Sequence, residues 1–244
     1  MCGRYTHKFK WKELHDLLAR GKWPARLAQA DEAALFAANF NVAPTQSAPV
    51  IRVATDAGGK VSGVEVVRLK WGLAPLWAKE PDRGPINARA ETVASNAMFR
   101  QAFASRRCVV PVSGFYEWKK HEGDAKQPFY ITRADDRPLL LAGLWERWGK
   151  DDQCVETFAV ITTPANQFMS SVHDRMPAVL EPESVAMWLE PQSDPDKLTS
   201  LLAPAPDGVL QMHPVSTRVN SPRNTGEELT ARAEPPPSNA GLWS

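Results

Sequence analysis

Apolar residues in this chain recur mostly with a period of two, in short runs bounded by turn formers. Val67, Leu69 and Trp71 alternate with Arg68 and Lys70, which predicts a half-buried strand whose cations face solvent. Residues 49–55 and 60–71 flank Asp56-Ala57-Gly58-Gly59, the pattern of a hairpin. From Cys108 the chain becomes strongly β. Residues 108–112, 115–119, 129–132, 139–145 and 157–162 read as strands, and a polar turn over 120–127 joins the second to the third. Shorter strands are predicted at 3–6 and 209–215, and Pro44 pushes Ala43 towards an extended conformation within Phe40-Asn41-Val42-Ala43-Pro44-Thr45.

Helical spacing is the minority pattern. Trp11, Leu14 and Leu18 share one stripe over 10–20, with Gly21 as a stop, and the Ala-rich stretch 23–38 reads as a second helix. Residues 95–105 form a third, with Met98, Phe99, Ala102 and Phe103 apolar and Arg106-Arg107 at the negative pole. Thr163-Pro164-Ala165-Asn166 resembles a helix start, and 183–189 and 196–202 are further short helices. Residues 1–222 are expected to form one domain, and 223–244, with Pro235-Pro236-Pro237 and few apolar residues, a mobile tail.

Composition narrows the picture. The 244 residues are 43% hydrophobic and 23% charged, an ordinary globular balance compatible with one sizeable core. A formal net charge of +1 means that nucleic-acid binding would need a local basic surface. Cys2, Cys108 and Cys154 lie far apart with no C-x-x-C pair, which argues against a disulfide scaffold or structural zinc and for a reducing compartment. No apolar run approaches the roughly 18 residues of a membrane span, and no signal-like apolar region follows Met1. The expectation is a cytoplasmic monomer without metal or cofactor.

Candidate chemistry sits at four places. Loss of Met1 would leave Cys2 with an α-amine and a thiol on adjacent carbons, their ordinary pKa values about 7.7–8.0 and about 8.5. The amine can condense with an aldehyde to an imine, and the thiol can close a five-membered thiazolidine on it. If Ile86-Asn87-Ala88-Arg89-Ala90-Glu91-Thr92 is extended, Asn87, Arg89 and Glu91 share a face. Strand alternation puts Glu117 beside Phe115 and away from Tyr116 and Trp118. It is either an exposed strand glutamate or a carboxyl whose pKa is raised by desolvation, as a general acid needs. His173 lies with Arg175 in an apparent loop closed by Pro177. Trp71 and Trp77 are either core or a base-stacking wedge.

The signals occur in a fixed order: Cys2-Gly3-Arg4-Tyr5, Asn41-Val42-Ala43-Pro44-Thr45, Trp71-Gly72-Leu73 and Asn87-Ala88-Arg89-Ala90-Glu91-Thr92. Arg107-Cys108, Pro111-Val112-Ser113-Gly114-Phe115-Tyr116-Glu117-Trp118, Ala142-Gly143-Leu144-Trp145 and His173-Asp174-Arg175-Met176-Pro177 follow. This combination resembles the SRAP family, the SOS response-associated peptidases or abasic-site processing proteins, over residues 2 to about 223.

The resemblance implies an α+β fold, a curved barrel-like antiparallel sheet with peripheral helices. It also implies binding of single-stranded DNA and covalent capture of abasic sites through a Cys2 thiazolidine. By position, Cys2 would be the nucleophile, Asn87 would orient the terminus or the sugar, Glu117 would be the acid/base and His173 a second proton-transfer group. Arg4, Arg89 and Arg175 look like phosphate contacts, with Pro44 and Trp71 near the DNA path. Two rivals stand beside it. One is a peptidase or amidohydrolase using Cys2 as N-terminal nucleophile, its cleavages including autocatalytic removal of Met1. The other is a non-catalytic DNA-binding or interaction module.

Overall fold

The computed structural model describes residues 2–19, 24–28, 32–56, 58, 60–81, 84–120, 126–150 and 154–233. In chain order they form β1 (Tyr5–His7), α1 (Trp11–Ala19), β2 (Ala25–Leu27), α2 (Glu32–Leu35), β3 (Asn39–Val42), β4 (Ser47–Thr55), β5 (Val61–Trp71), β6 (Asn87–Arg89) and α3 (Arg100–Ser105). Then come β7 (Arg107–Val112), β8 (Gly114–Lys120), β9 (Lys126–Arg133), β10 (Leu139–Trp148), β11 (Val155–Pro164), α4 (Gln167–Ser170), β12 (Arg175–Pro177) and β13 (Val179–Leu180). The last elements are α5 (Val185–Leu189), α6 (Pro195–Ser200) and β14 (Leu210–Pro214).

Strands β11, β10, β7, β4 and β5 pair in that order, each antiparallel to the next. Strand β5 then returns to β11 in parallel, Lys70 opposite Thr157 and Trp71 opposite Phe158, and the sheet closes on itself. At Gly72, whose φ is 130°, the chain leaves β5 while the Gly72 N–H still bonds Phe158 O at 2.9 Å. It rejoins the same edge of β11 as β6, with Asn87 opposite Val160 and Arg89 opposite Thr162. A second sheet, β14-β9-β8-β1-β3, is antiparallel throughout. The expected α+β class and curved, barrel-like, mainly antiparallel sheet with short peripheral helices are what the chain forms.

Barrel strands bury both faces, which explains runs such as Leu139-Leu140-Leu141-Ala142. Leu140, Ala142 and Leu144 of β10, Ala159 and Ile161 of β11, and Val64 and Val66 of β5 pack with α1, α3 and α5. Their neighbours Leu139, Leu141, Phe158, Val160, Val67, Leu69 and Trp71 pack on the other face with Cys2, Tyr5 and Phe115. Residue parity therefore decides which of two cores a side chain enters. As expected, Arg68 is exposed.

Four expectations need correction. The helix predicted over 23–38 is instead β2, paired in parallel with β5, and the single turn α2. The open edge of β5 takes this segment instead, Pro24 O accepting from Val64 N at 2.8 Å. Gly21 and residues 29–31 lie outside the described residues. The helix predicted over 95–105 keeps only its second half, α3, and Arg107 donates to Phe103 O and Ala104 O at its C-terminal end. The loop read at 173–177 becomes β12 from Arg175, on the edge of β11.

The segment predicted as a loose tail is packed up to residue 233. Val219 and Leu229 join Tyr116, Tyr130 and Val215 in a third apolar cluster, and Ala233 N donates to Pro214 O at 2.9 Å. Two such anchors are too sparse to show as a periodic pattern. Residues 234–244 lie outside the described residues. Among the described residues no helix is long and apolar enough to cross a membrane.

Gly114 tests how closely β8 is set against β9. A β-carbon there would lie 2.6 Å from the Tyr130 ring and 2.7 Å from Ile131 O. Gly114→Ala is expected to cost about 1–3 kcal/mol through forced shifts of β9. The measurement is the denaturant midpoint at constant slope; an unchanged midpoint would refute the tight contact.

Candidate active site

Strand β1 lies between β3 and β8, Tyr5 opposite both Val42 and Phe115. That insertion carries residues 2–4 into the seam between the barrel and the second sheet. Cys2 is fully enclosed, in the cluster that also holds Tyr5, Trp71 and Phe115. Asn87, presented by β6, donates its Nδ2 to Cys2 O at 2.9 Å. The other end of that amide, Oδ1, is buried and has no hydrogen-bond partner among the described residues.

Glu117 follows Phe115 on the same face of β8 and is 2% exposed, so the sequence choice falls on the buried carboxyl. Burial raises its pKa above the ordinary carboxylate value, against the pull of nearby positive charge. Burial also drives the Cys2 thiol well above its ordinary value, and the Glu117 charge adds to this while the Arg4 backbone N–H opposes it. The thiol is therefore held protonated. His173 Nδ1 accepts from Arg175 N at 2.9 Å, which leaves its ring proton on Nε2. Asp174 Oδ1 lies 2.8 Å from the same Nδ1, an ion pair only for a protonated ring; the backbone N–H is the fixed donor and sets the neutral tautomer. Glu117 and His173 line one cavity of about 540 Å³ with Trp118, Lys120, Lys126 and Asn220.

The predicted binding residues divide. Arg4 gives Nη1 to Asn41 Oδ1 at 2.8 Å and to Val219 O at 2.9 Å. Arg89 is exposed on β6. Arg175 is tied down: both terminal nitrogens reach Glu91, and Nη2 also donates to Thr162 O at 2.6 Å. Arg175 holds the Glu91 carboxyl below its ordinary range, with Arg89 adding to the effect. Asn87 and Arg89 share a face of β6 as predicted, while Glu91 lies in the turn beyond it.

Trp71 is fully buried, stacked at 6.2 Å on Phe158 and 4.9 Å from Tyr5, with Nε1 donating to Ile86 O. Of the two readings of Trp71, the core one holds and the stacking wedge does not: it is a supporting post. What it supports is Pro44, half-buried, followed by Thr45 at φ 72° with its N–H on Trp71 O at 2.9 Å. The large exposed aromatic of that stretch is Trp77, at 64%. Sequence reasoning gave Asn41 no role, although it opens the Asn41-Val42-Ala43-Pro44 motif. Among the described residues no group of three or more His, Cys, Asp or Glu side chains is arranged to hold a metal ion.

The buried carboxyl has a stability consequence. A carboxyl whose pKa is raised in the fold favours folding most when protonated, below its ordinary value of 4.5, and loses that advantage as pH rises through the folded value. Glu117→Gln should therefore melt higher than the unsubstituted protein at about pH 8, and the gap should close towards about pH 4. A gap independent of pH would contradict the burial argument.

Comparison with known proteins identifies the family. The family model for SOS response associated peptidase (SRAP) matches residues 1–222. The abasic site processing protein YoqW of Bacillus subtilis is 36% identical over 233 residues, covering 94% of this chain and 98% of the relative. YedK of Escherichia coli, also named an abasic site processing protein, is 37% identical over 161 residues, covering 65% of this chain and 71% of its own. A crystal structure of a Bacteroides thetaiotaomicron protein superposes with a TM-score of 0.78 at 27% identity, covering 96% of this chain and all (100%) of that one. With the family model spanning nearly the whole described chain and relatives above 30% identity along most of their length, this chain belongs to the SOS response associated peptidase (SRAP) family.

Proposed function

We propose that the protein processes abasic sites in single-stranded DNA by capturing the sugar aldehyde as a thiazolidine on Cys2. The observation that carries this reading is the Asn87 amide. Its donor end already holds Cys2 O, while its acceptor end is buried and, among the described residues, unmatched, beside a residue whose amide nitrogen becomes an amine with further hydrogens to donate once the Met1–Cys2 bond is cut. Capture needs that amine, so the cut precedes it. The names of the relatives, all abasic site processing proteins, support the choice of substrate.

The chemistry follows from the two raised pKa values. An abasic sugar is mostly a closed hemiacetal. Protonated Glu117 gives its proton to the ring oxygen, the C1′–O bond breaks and the hemiacetal hydroxyl becomes the C1′ aldehyde, its proton passing to His173. The Cys2 amine adds to C1′ and water leaves, giving an imine. Glu117, now a carboxylate, takes the thiol proton as sulfur bonds C1′, and the imine nitrogen is protonated. Aldehyde and aminothiol thus give thiazolidine and water, and this sequence calls on no metal or cofactor. A bare imine would invite β-elimination and strand cleavage; the ring removes it.

In this reading Arg4 and Arg89 contact phosphates, and Arg175, tied to Glu91, orients Glu91 and β12. No base remains at an abasic site, so recognition rests on sugar chemistry and backbone charge. The peptidase reading fits the site less well. An acyl-transfer cysteine works as a thiolate, whereas here burial and the Glu117 charge both disfavour one.

Mixing the protein with single-stranded DNA carrying one abasic site is expected to give a denaturant-resistant adduct on the Cys2 peptide. Peptide turnover without that adduct would move the assignment to the peptidase. Cys2→Ala should abolish the thiazolidine while its amine still cleaves the strand; full protection by that variant would remove the thiol from the chemistry. Glu117→Gln should slow capture by at least about 10²-fold in a folded protein. For the unsubstituted protein the rate should fall on the alkaline side, as Glu117 loses its proton, and on the acid side, as the Cys2 amine gains one. An alkaline limb that survives in Glu117→Gln would exclude this carboxyl.

A further inference from the structure

Asn41 is fully buried on β3 and every polar end of its amide is used. Its Oδ1 accepts from Arg4 Nη1 at 2.8 Å. Its Nδ2 donates to Val219 O at 3.3 Å, Ser221 O at 3.0 Å and Asn224 O at 2.7 Å. Three backbone carbonyls converging on one point repel unless a donor sits between them, and the Asn41 amino group is that donor. Val219 O also accepts from Arg4 Nη1, so one carbonyl serves both side chains. Among the described residues nothing accepts from Arg4 Nη2, and Arg4 Nε is buried without an acceptor.

The segment that supplies these carbonyls also reaches the reaction site. Asn220 lines the cavity that holds Glu117 and His173, and its Oδ1 accepts from Trp118 Nε1 at 2.7 Å. Val219 anchors the segment in the cluster with Tyr116, Tyr130 and Leu229. One side chain on β3 therefore joins Arg4, near the chain start, to a wall of the cavity contributed from near the chain end.

We propose that Asn41 is a positioning residue for DNA capture. It clasps residues 219–224 against Arg4 and fixes the guanidinium by Nη1, so that the opposite terminal nitrogen is held ready for a phosphate of the bound strand. The inference rests on Arg4 as a phosphate contact. A free arginine side chain loses rotamer freedom when it is ordered, and a clasp made before binding removes most of that cost from the binding step.

The test compares Asn41→Ala, Arg4→Gln and the double variant in single-turnover capture of an abasic oligonucleotide over a range of salt. Asn41→Ala is expected to raise the half-saturating DNA concentration by about tenfold with the saturating rate within about twofold. It should flatten log affinity against log salt by about 0.7, the share of one single-strand phosphate contact. Arg4→Gln should do the same, and the double variant should be no worse than Arg4→Gln alone. A salt slope equal to that of the unsubstituted protein in Asn41→Ala, or losses that multiply in the double variant, would overturn the proposal.

Should Asn41→Ala fail to fold, the reciprocal coupling is read in the unsubstituted protein. Saturating DNA should slow amide hydrogen exchange across residues 219–224, and should fail to do so in Arg4→Gln. Equal slowing in both would overturn the clasp while leaving capture by Cys2 intact. Loss of the Cys2 adduct in the unsubstituted protein would instead remove the underlying reading.

Discussion

One edge of β11 takes two partners in succession, and the site depends on it. Strand β5 pairs with it at Thr157 and Phe158, and β6 pairs at Val160, Ile161 and Thr162. The first pairing closes the barrel; the second brings Asn87 to Cys2 O. The other edge of β11 carries β12 and sets Arg175 against Thr162 and Glu91. Both pairings with β5 and β6 are parallel, and Gly72 is where the chain leaves the edge so that it can rejoin further along. Side chains from β1, β6, β8 and the segment ahead of β12 thereby meet, although the chain separates Cys2 from His173 by most of its length.

Burial is the second constraint, and it acts against stability. Glu117 and Cys2 are both enclosed; burial raises the cost of ionising each, and the Glu117 charge adds to that of Cys2. A carboxyl in solution would be ionised at neutral pH and useless as a proton donor to a sugar. Inside the seam burial shifts it towards the protonated form, and shifts the Cys2 thiol the same way. The surrounding packing offsets that expense: Trp71 between Tyr5 and Phe158 forms the wall, and Asn41 holds the C-terminal segment in place. Function here occupies positions that a purely structural sequence would fill with apolar side chains.

Local patterning made a good part of this visible. Alternation over β5, and apolar runs bounded by turn formers over β4, β7, β8, β10 and β11, placed those strands, because the burial of a strand is written directly into neighbouring residues. The same alternation put Glu117 on the Phe115 face, and Asn166 was readable as a helix start because a cap is a contact within one turn. The stretch 23–38 misled because alanine favours a helix only when no competing edge is near, and the free edge of β5 supplied one. Trp71 was ambiguous for a related reason: composition cannot say whether an aromatic ring at a strand end meets protein or solvent.

What the amino-acid order by itself determined is the set of strands, their inward faces and the residue types needed for aldehyde chemistry, because each of these depends on neighbours within a few positions. Only the tertiary structure decided that Arg175 is bound to Glu91 while Arg4 keeps a terminal nitrogen open, that Asn87 Oδ1 lacks a donor, and that residues 219–224 are clasped by Asn41. Those facts depend on which distant segments share an edge or a seam. No window along the chain contains both partners of such a contact, so the closure of the barrel had to come first.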